Sequence, residues 1–365
     1  MNILVDIGHP AHVHLMRNCI HQLINDGNKV VVTAKDMPII KHLLDFYQID
    51  HIVVGKKGND LATKVLKQII FNFKIWRVAT KNHIDIATGT SMSIPVVSKF
   101  CKMKSINMDD DDDEVQPIAV KYSHPFSDVR LTPNSLIKHR ASSHALFYEG
   151  THELAYLHPN HFAPNPKVLE KAGLNEFSRY FVLRFVAFNA YHDVGENGIS
   201  LENQRKLIDL LKPYGRIIIT SEKELNPEFE PYRMPVPPED IHSLIAFSAM
   251  LIGDSQTMTS EAAILGVPAL KCNTFAGRLS VPNELEQKYG LCYAYHPDDF
   301  DQLYSHLERL LSNNPEALRQ EWQEKRQRFL DDHIDVTAFF TWFIENYPES
   351  RDIMKDNPEY QWQFK

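Results

Sequence analysis

The sequence predicts an α/β protein built from two Rossmann-like, doubly wound parallel-sheet domains facing a cleft. Three observations lead there. At 365 residues the chain exceeds one ordinary core and suits two α/β domains of roughly 150 to 200 residues each. Short β-branched runs alternate with helix-period stretches in both halves, which implies parallel strands joined by right-handed crossovers. Between the halves, over residues 140–166, the periodicity fails and Pro, His and Tyr gather, so the crossover between domains is expected there. The expected boundaries are 1–160 for the first domain, 161–345 for the second and 346–365 for a C-terminal tail.

The N-terminal series opens with a short buried strand over residues 2–7, broken by Gly8-His9-Pro10-Ala11-His12 before a helix-period stretch over 13–24. Gly27-Asn28 ends that helix, KVVVTA over 29–34 is a β-branched strand, and 38–47 reads as a second helix followed by Ile52-Val53-Val54. Residues 84–87, a Ser/Pro-punctuated helix over 95–100, Ser105-Ile106-Asn107 and 129–132 continue the alternation. The second series has strands at 180–185, 216–220, 250–253 and 269–271, with helices at 201–211, 238–249 and 257–265. Residues 300–347 read as helical almost throughout. Doubly wound sheets carry their ligands at the carboxyl ends of the strands, so the motifs at those ends decide the function.

Composition removes several classes. Hydrophobic content of 43% with 24% charged residues is that of a soluble globular protein, and no apolar run approaches the roughly 18 residues of a membrane-spanning helix. The first residues hold no basic, apolar or small-residue leader pattern, so a cytoplasmic protein is expected. Cys19, Cys101, Cys272 and Cys292 are widely spaced with no CxxC pair, which argues against a zinc ribbon or a disulfide framework. A net charge of −8 leaves nucleic acid out of the expected partners.

The most informative segment is Leu251-Ile252-Gly253-Asp254-Ser255-Gln256-Thr257-Met258-Thr259-Ser260-Glu261-Ala262-Ala263, followed by Leu265-Gly266-Val267-Pro268. A buried strand ends in small and hydroxyl residues that open into a helix. Backbone N–H groups at the helix start, with the Ser255 and Thr257 hydroxyls, make an anion site for a diphosphate, and Glu261 can accept hydrogen bonds from ribose hydroxyls. The competing reading makes Asp254 or Ser255 a helix cap and Glu261 a solvated first-turn acid. Thr220-Ser221-Glu222 ends another strand at the same edge, so Ser221 is a further candidate for the nucleotide pocket.

This segment resembles the nucleotide-sugar site of glycosyltransferases of the B fold (GT-B) and of the non-hydrolysing UDP-N-acetylglucosamine 2-epimerases. In the epimerases the stretch reads DSGGIQEEA, then LGxPVL. Asp254 and Ser255 fall on its Asp and Ser, Glu261 on its ribose-binding second Glu, and Leu265-Gly266-Val267-Pro268 on LGxP, while Gln256-Thr257 replaces the diglycine. The loop Ala190-Tyr191-His192-Asp193-Val194-Gly195-Glu196-Asn197 is similar to the HRREN loop without its arginines, which implies His192 and Asp193 near the diphosphate. The chain resembles, end to end, the family called domain of unknown function 354, regarded as GT-B-like. The carrying residues are Asp6-Ile7-Gly8-His9-Pro10-Ala11-His12-Val13-His14, Tyr148-Glu149-Gly150, His152-Glu153-Leu154-Ala155-Tyr156-Leu157-His158-Pro159 and the segment 253–268.

The N-terminal histidines lie where the first strand meets the first helix. An imidazole that titrates near neutral pH suits proton removal from an acceptor hydroxyl, so His12 is the first candidate base and His9 the second, with His14 packing or capping. Hydrogen bonding around a tight turn is the structural alternative. Zinc held by His9, His12 and His14 for hydrolysis is a third reading, without a second His/Asp cluster to complete it. The run Asp109-Asp110-Asp111-Asp112-Asp113-Glu114 reads as a solvated loop. No metal and no cofactor are expected. Tyr148, Glu149, His152 and Glu153 bunch ionisable and aromatic groups in the crossover and are candidate acceptor contacts.

Residues 56–81 carry seven basic side chains against the single acid Asp60. Helical spacing points Leu61, Val65, Ile69, Phe73 and Trp76 inward, with Phe71, Ile75 and Val78 on a flanking face beside the lysines. A basic, apolar-interleaved helix suits an anionic membrane, so peripheral contact at the inner face of the plasma membrane is expected alongside core packing. The function expected is transfer of a sugar from a nucleotide diphosphate donor, uridine-based, to a polysaccharide or lipid-linked acceptor. A nucleotide-sugar epimerase or hydrolase, a metal-dependent hydrolase and a non-catalytic sugar-nucleotide or glycan binder are the alternatives.

Overall fold

A computed structural model describes residues 1–56, 61–140, 144–186, 197–221 and 224–365, with 61–65 described for the backbone alone. The chain forms two compact units, Met1–His161 with His333–Lys365, and Phe162–Asp332. Each is built on its own parallel sheet.

The first unit has seven strands, β1 (Asn2–Ile7), β2 (Lys29–Lys35), β3 (His51–Gly55), β4 (Ile86–Gly89), β5 (Lys104–Met108), β6 (Val129–Pro133) and β7 (Ala145–Tyr148), in the order β3-β2-β1-β4-β5-β6-β7. Central β1 pairs with β2 through Ile3↔Val30 and with β4 through Ile3↔Ile86. It is buried on both faces, which is why Ile3-Leu4-Val5 is a continuous apolar run rather than an alternating one. The winding reverses between β1 and β4, and the crevice of a doubly wound sheet opens at that reversal. Gly89 sits there with φ +128°, and a Cβ on it would lie 2.7 Å from the Asp6 carbonyl oxygen, so only glycine lets β4 end against β1.

The second unit has β8 (Tyr180–Phe185), β9 (Arg216–Ser221), β10 (Met250–Gly253), β11 (Ala269–Cys272) and β12 (Cys292–Tyr295), in the order β12-β11-β10-β8-β9. Here the reversal lies between β8 and β10. A Cβ on Gly253 would meet the Arg184 carbonyl oxygen at 2.3 Å, the same close approach at the equivalent place.

Three expectations are corrected. β7 lies inside the stretch read as an inter-domain crossover, because Ala145-Leu146-Phe147-Tyr148 is too short to show a period. Residues 333–345, expected in the second domain, and the expected tail 346–365 both belong to the first unit. The helix Val336–Glu345 is apolar on nearly every side, and it buries Phe339, Phe340 and Phe343, the Tyr148 ring standing 5.2 Å from that of Phe340. Its hydrogen bonds follow the same packing, Thr337 Oγ1 donating to the Ala155 carbonyl at 2.6 Å. Third, the helix Leu61–Lys81 is turned only partly as expected: Trp76 packs against the core, and the side chains of Leu61 and Val65 lie outside the described residues. Phe71, Ile75 and Ala79, at i, i+4 and i+8, pack on Leu4, Ile84 and Val97, while Ile69 and Phe73, expected inward, are exposed.

Candidate functional site

In the first unit the carboxyl ends of β1, β5 and β7 bring ionisable groups together. Asp6, near the end of β1, is buried and accepts hydrogen bonds from Thr33 Oγ1 at 2.8 Å and Ser91 Oγ at 2.5 Å. Burial raises its pKa despite those bonds. It ties β2 and the loop after β4 to the central strand.

Just beyond, the three histidines part company. His9 is exposed and caps the helix Pro10–Asn25, its Nδ1 accepting from the Ala11 N–H at 3.2 Å. His14 is buried, with its Nδ1 3.2 Å from Arg17 Nη1. The Nδ1 of half-buried His12 accepts the Gly8 N–H at 3.3 Å, which puts the ring proton of the neutral imidazole on Nε2. Burial, then the nearby His9, Lys35 and His152, holds His12 well below the usual imidazole range. At neutral pH this ring therefore offers an N–H donor. Among the described residues no three His, Cys, Asp or Glu side chains are grouped to hold a metal ion.

The acidic run is solvated only in part: Asp111 and Glu114 are exposed, whereas Asp109 and Asp112 are buried. Asp109 is buried, with Oδ2 3.1 Å from Arg140 Nη1, 3.2 Å from His124 Nε2 and 3.5 Å from Arg130 Nη1. Asp113 Oδ1 lies 3.3 Å from Arg140 Nε. A carboxylate leaves water only when cations and donors replace its hydration, and two arginines distant in sequence supply them. Asp110 turns the other way, to His152, with Oδ2 3.1 Å from Nδ1. Burial is the largest single effect on His152 and lowers its pKa, but the charge and hydrogen bond of Asp110, with the nearby Glu153 and Asp109, together raise it. Reciprocally, burial is the largest single effect on Asp110 and opposes its ionisation, but the charge and hydrogen bond of His152, with a backbone hydrogen bond, together leave the pKa lowered.

Beside this pair, burial and the Asp110 charge push the Glu153 carboxyl up to about 7. Tyr148 Oη, His152 Nε2 and Glu153 Oε2 are buried and have no hydrogen-bond partner among the described residues. Of the candidate acceptor contacts, His152 and Glu153 thus share an environment with His12. Glu149 does not; its Oε1 accepts from Asn134 Nδ2 at 2.6 Å and its N–H donates to Gln361. The Tyr148 ring belongs to the core.

In the second unit, β10 ends at Gly253 and a helix starts at Gln256 (Gln256–Ile264). Ser255 is its N-cap, with Oγ accepting from the Met258 N–H at 3.4 Å. Asp254 is not the cap. Its buried carboxylate accepts from Val186 N–H at 2.8 Å and Ile199 N–H at 3.4 Å, which anchors the chain on both sides of residues 187–196. Burial, only partly offset by those bonds, raises its pKa to about 7. His192 and Asp193 lie outside the described residues. Thr257 is half-buried in the first turn, and Ser221 is half-buried at the end of β9. Glu261 falls in the second turn rather than the first, because the helix begins at Gln256. It is buried and 3.0 Å from His242 Nε2, so it is no solvated acid.

Lys271 was not among the expected residues, although a lysine in the apolar run Ala269-Leu270-Lys271-Cys272 is a visible anomaly. Only 1% exposed, it donates from Nζ to Gln256 Oε1. Burial pulls its pKa down to about 8. Gln256 Nε2 is buried without a partner among the described residues. The start of this helix therefore combines open backbone donors, an amide donor and an ammonium behind them, an arrangement of positive potential.

Both sheets are similar to those of solved nucleotide-sugar enzymes. The S. aureus MnaA–UDP co-structure matches with a TM-score of 0.66 at 14% identity, covering 96% of this chain and 97% of that one. The UDP-GlcNAc 2-epimerase of Methanocaldococcus jannaschii in complex with UDP-GlcNAc and UDP matches with a TM-score of 0.62 at 12% identity, covering 86% and 94%. The spinosyn rhamnosyltransferase SpnG complexed with spinosyn aglycone matches with a TM-score of 0.60 at 11% identity, covering 95% and 100%. These likenesses establish a GT-B-like fold. A curated relative, "Uncharacterized protein MJ0665" of Methanocaldococcus jannaschii, is 23% identical over 294 residues, 74% of this chain and 82% of the relative. The family model described as "Protein of unknown function (DUF354)" matches residues 1–337.

Proposed function

Because the chain belongs to the DUF354 family, whose description assigns no reaction, we propose from the site that it transfers a sugar from a nucleotide diphosphate donor, uridine-based, to a polysaccharide or glycolipid acceptor. The observation that carries this reading is the helix start after β10, where Ser255, Gln256 and Thr257 stand in front of the buried Lys271 ammonium. Backbone donors and a cation at one point suit two linked phosphates, and they stabilise charge that builds on the diphosphate as it leaves. Solved proteins of this fold hold UDP or UDP-GlcNAc, which supports the uridine assignment. Asp254 shapes the site by anchoring the chain beside it, and Glu261 with His242 supplies the ribose side.

In the transfer the acceptor oxygen bonds to the anomeric carbon, the bond to the diphosphate breaks, and the hydroxyl proton passes to a base. Glu153, rather than the expected His12, is that base. A carboxyl poised at about 7 takes or gives a proton near neutral pH, whereas His12 offers Nε2–H to a sugar oxygen. His152 Nε2 and Glu153 Oε2 then contact the sugar or acceptor.

Thermal unfolding and calorimetry with UDP, GDP, CDP, dTDP and their sugar conjugates test the donor site. One nucleotide at about a hundred times its Kd should add roughly 2.7 kcal/mol of stability, and Lys271→Met should weaken that response. No response to any of them would remove the reading. Epimerisation of the same donor is the second reading, favoured by the same carboxyl at about 7, since moving a proton on and off carbon needs such a group. Conversion of nucleotide sugar with no acceptor present would select it over transfer.

A further inference from the structure

We propose that the outward face of the helix Leu61–Lys81 docks this protein on an anionic membrane surface. The inference stands apart from the proposed reaction and rests on how this helix is turned in the fold. Successive helical residues rotate by about 100°, so Phe71, Ile75 and Ala79 share one face, and that face is buried on the sheet of the first unit. Leu66, Ile69, Ile70 and Phe73 share the opposite face. Leu66 is 59% exposed, Ile69 61% and Phe73 55%. A helix that needs only one apolar face to hold its place has two.

The outward stripe continues past the helix. Half-buried Trp76 packs against the inward core and also meets this stripe: the Phe73 ring stacks on it at 5.7 Å, its Nε1 donates to the Phe100 carbonyl at 3.3 Å, and the Phe100 side chain is 74% exposed. Contiguous exposed apolar surface of this kind marks a binding face, and a Phe–Trp pair suits the boundary between headgroups and acyl chains.

Charge decides what the face meets. The helix holds five cations and no acid, in a chain of net charge −8, and Lys67, Lys74, Arg77 and Lys81 flank the apolar stripe along one side. A second copy of this face would set cations against cations in a two-fold contact. An anionic lipid surface complements them and accepts the apolar side chains at shallow depth. Among the described residues no helix is long and apolar enough to cross a membrane, so the contact is peripheral.

The test uses the full chain and two kinds of vesicle, equal parts phosphatidylglycerol and phosphatidylcholine, or phosphatidylcholine alone. At low salt the protein should sediment with the first and stay in solution with the second, and added salt should release it. Lys67→Ala and Arg77→Ala should each lower the partition about fivefold. The double variant Ile69→Ser with Phe73→Ser should lower it by at least about tenfold, and because these side chains are exposed its thermal midpoint should match wild type. Absence of sedimentation with anionic vesicles, equal partition onto both kinds, or wild-type partition by the folded double variant would overturn the proposal. So would a concentration-dependent dimer that the double variant disperses, which would give the face to a second copy. The two lysine and arginine variants decide the matter if the double variant does not fold.

Discussion

Asp110 and His152, forty-two positions apart on the loops after β5 and β7, meet at 3.1 Å between Oδ2 and Nδ1. Each makes the other's charge tolerable away from water. The carboxylate holds the imidazole protonated against the effect of burial, and the imidazolium holds the carboxylate ionised. The pair also sets the charge that Glu153 experiences, since Asp110 is the largest contribution to that carboxyl after burial.

Asp110→Asn should therefore drop the His152 pKa below its ordinary value, because burial then acts with less opposition. Histidine titration followed by NMR reads this directly. An unchanged His152 titration would mean that the ion pair does not exist in solution.

Glu153 gives a pH signature. Its folded pKa of about 7 lies above the ordinary 4.5, so between those values the folded state holds a proton that the unfolded state has released. Stability must fall as pH rises through that window and level off above it. The size is on the order of 3 kcal/mol. Glu153→Gln should remove this slope in denaturant titrations at a series of pH values, and under the proposed reaction it should also cut turnover by about a hundredfold while sparing nucleotide binding.

Lys271 has the opposite sign. A folded pKa of about 8, below the ordinary 10.5, means that the unfolded state binds the extra proton between those values. Stability of the second unit should rise as pH goes from about 8 to about 10.5. Lys271→Met should abolish that rise and leave the protein at least as stable at pH 7, with nucleotide binding weakened. Loss of folding at pH 7 would show instead that the ammonium is needed for structure.

The two switch-point glycines predict steric costs. Gly253→Ala places a methyl 2.3 Å from a backbone oxygen, and Gly89→Ala places one 2.7 Å from another in a residue with φ +128°. Neither obstacle is a flexible side chain that can swing away. Each substitution should cost at least about 1–3 kcal/mol and lower the thermal midpoint by several degrees. Gly277→Ala, where φ is +74° and nothing lies within 4 Å of the added carbon, separates backbone strain from collision.

How far the sequence reached depended on whether the information was local. Strands at Asn2–Ile7, Tyr180–Phe185 and Met250–Gly253 are readable because a buried parallel strand is a largely apolar run between breakers, interrupted here only at Asn2, Asp6 and Arg184. The helix start at Ser255 was readable for the same reason, a strand running into a capping residue and a helical pattern. The signal at Lys271 is local as well, a charge inside the apolar strand Ala269–Cys272. The acidic run and the orientation of the helix Leu61–Lys81 are legible only in part, Asp111 and Glu114 being exposed and Trp76 packing inward as expected. A run of aspartates looks solvated until Arg130 and Arg140 are known to reach it, and a helix with two apolar faces does not say which one turns inward.

By itself the sequence determined the alternation of strands and helices, the place of the turns at the carboxyl ends of β1 and β10, and the family to which those turns belong. Periodicity, glycine and capping chemistry act over a few residues, so they are written where they operate. Tertiary structure alone decided that His333–Lys365 joins the first unit. It also decided that Asp110 pairs with His152 while Asp109 pairs with arginines, and that Glu153 titrates near neutral pH. Burial and charge pairing depend on which distant segments meet, and the chain fixes that only by folding.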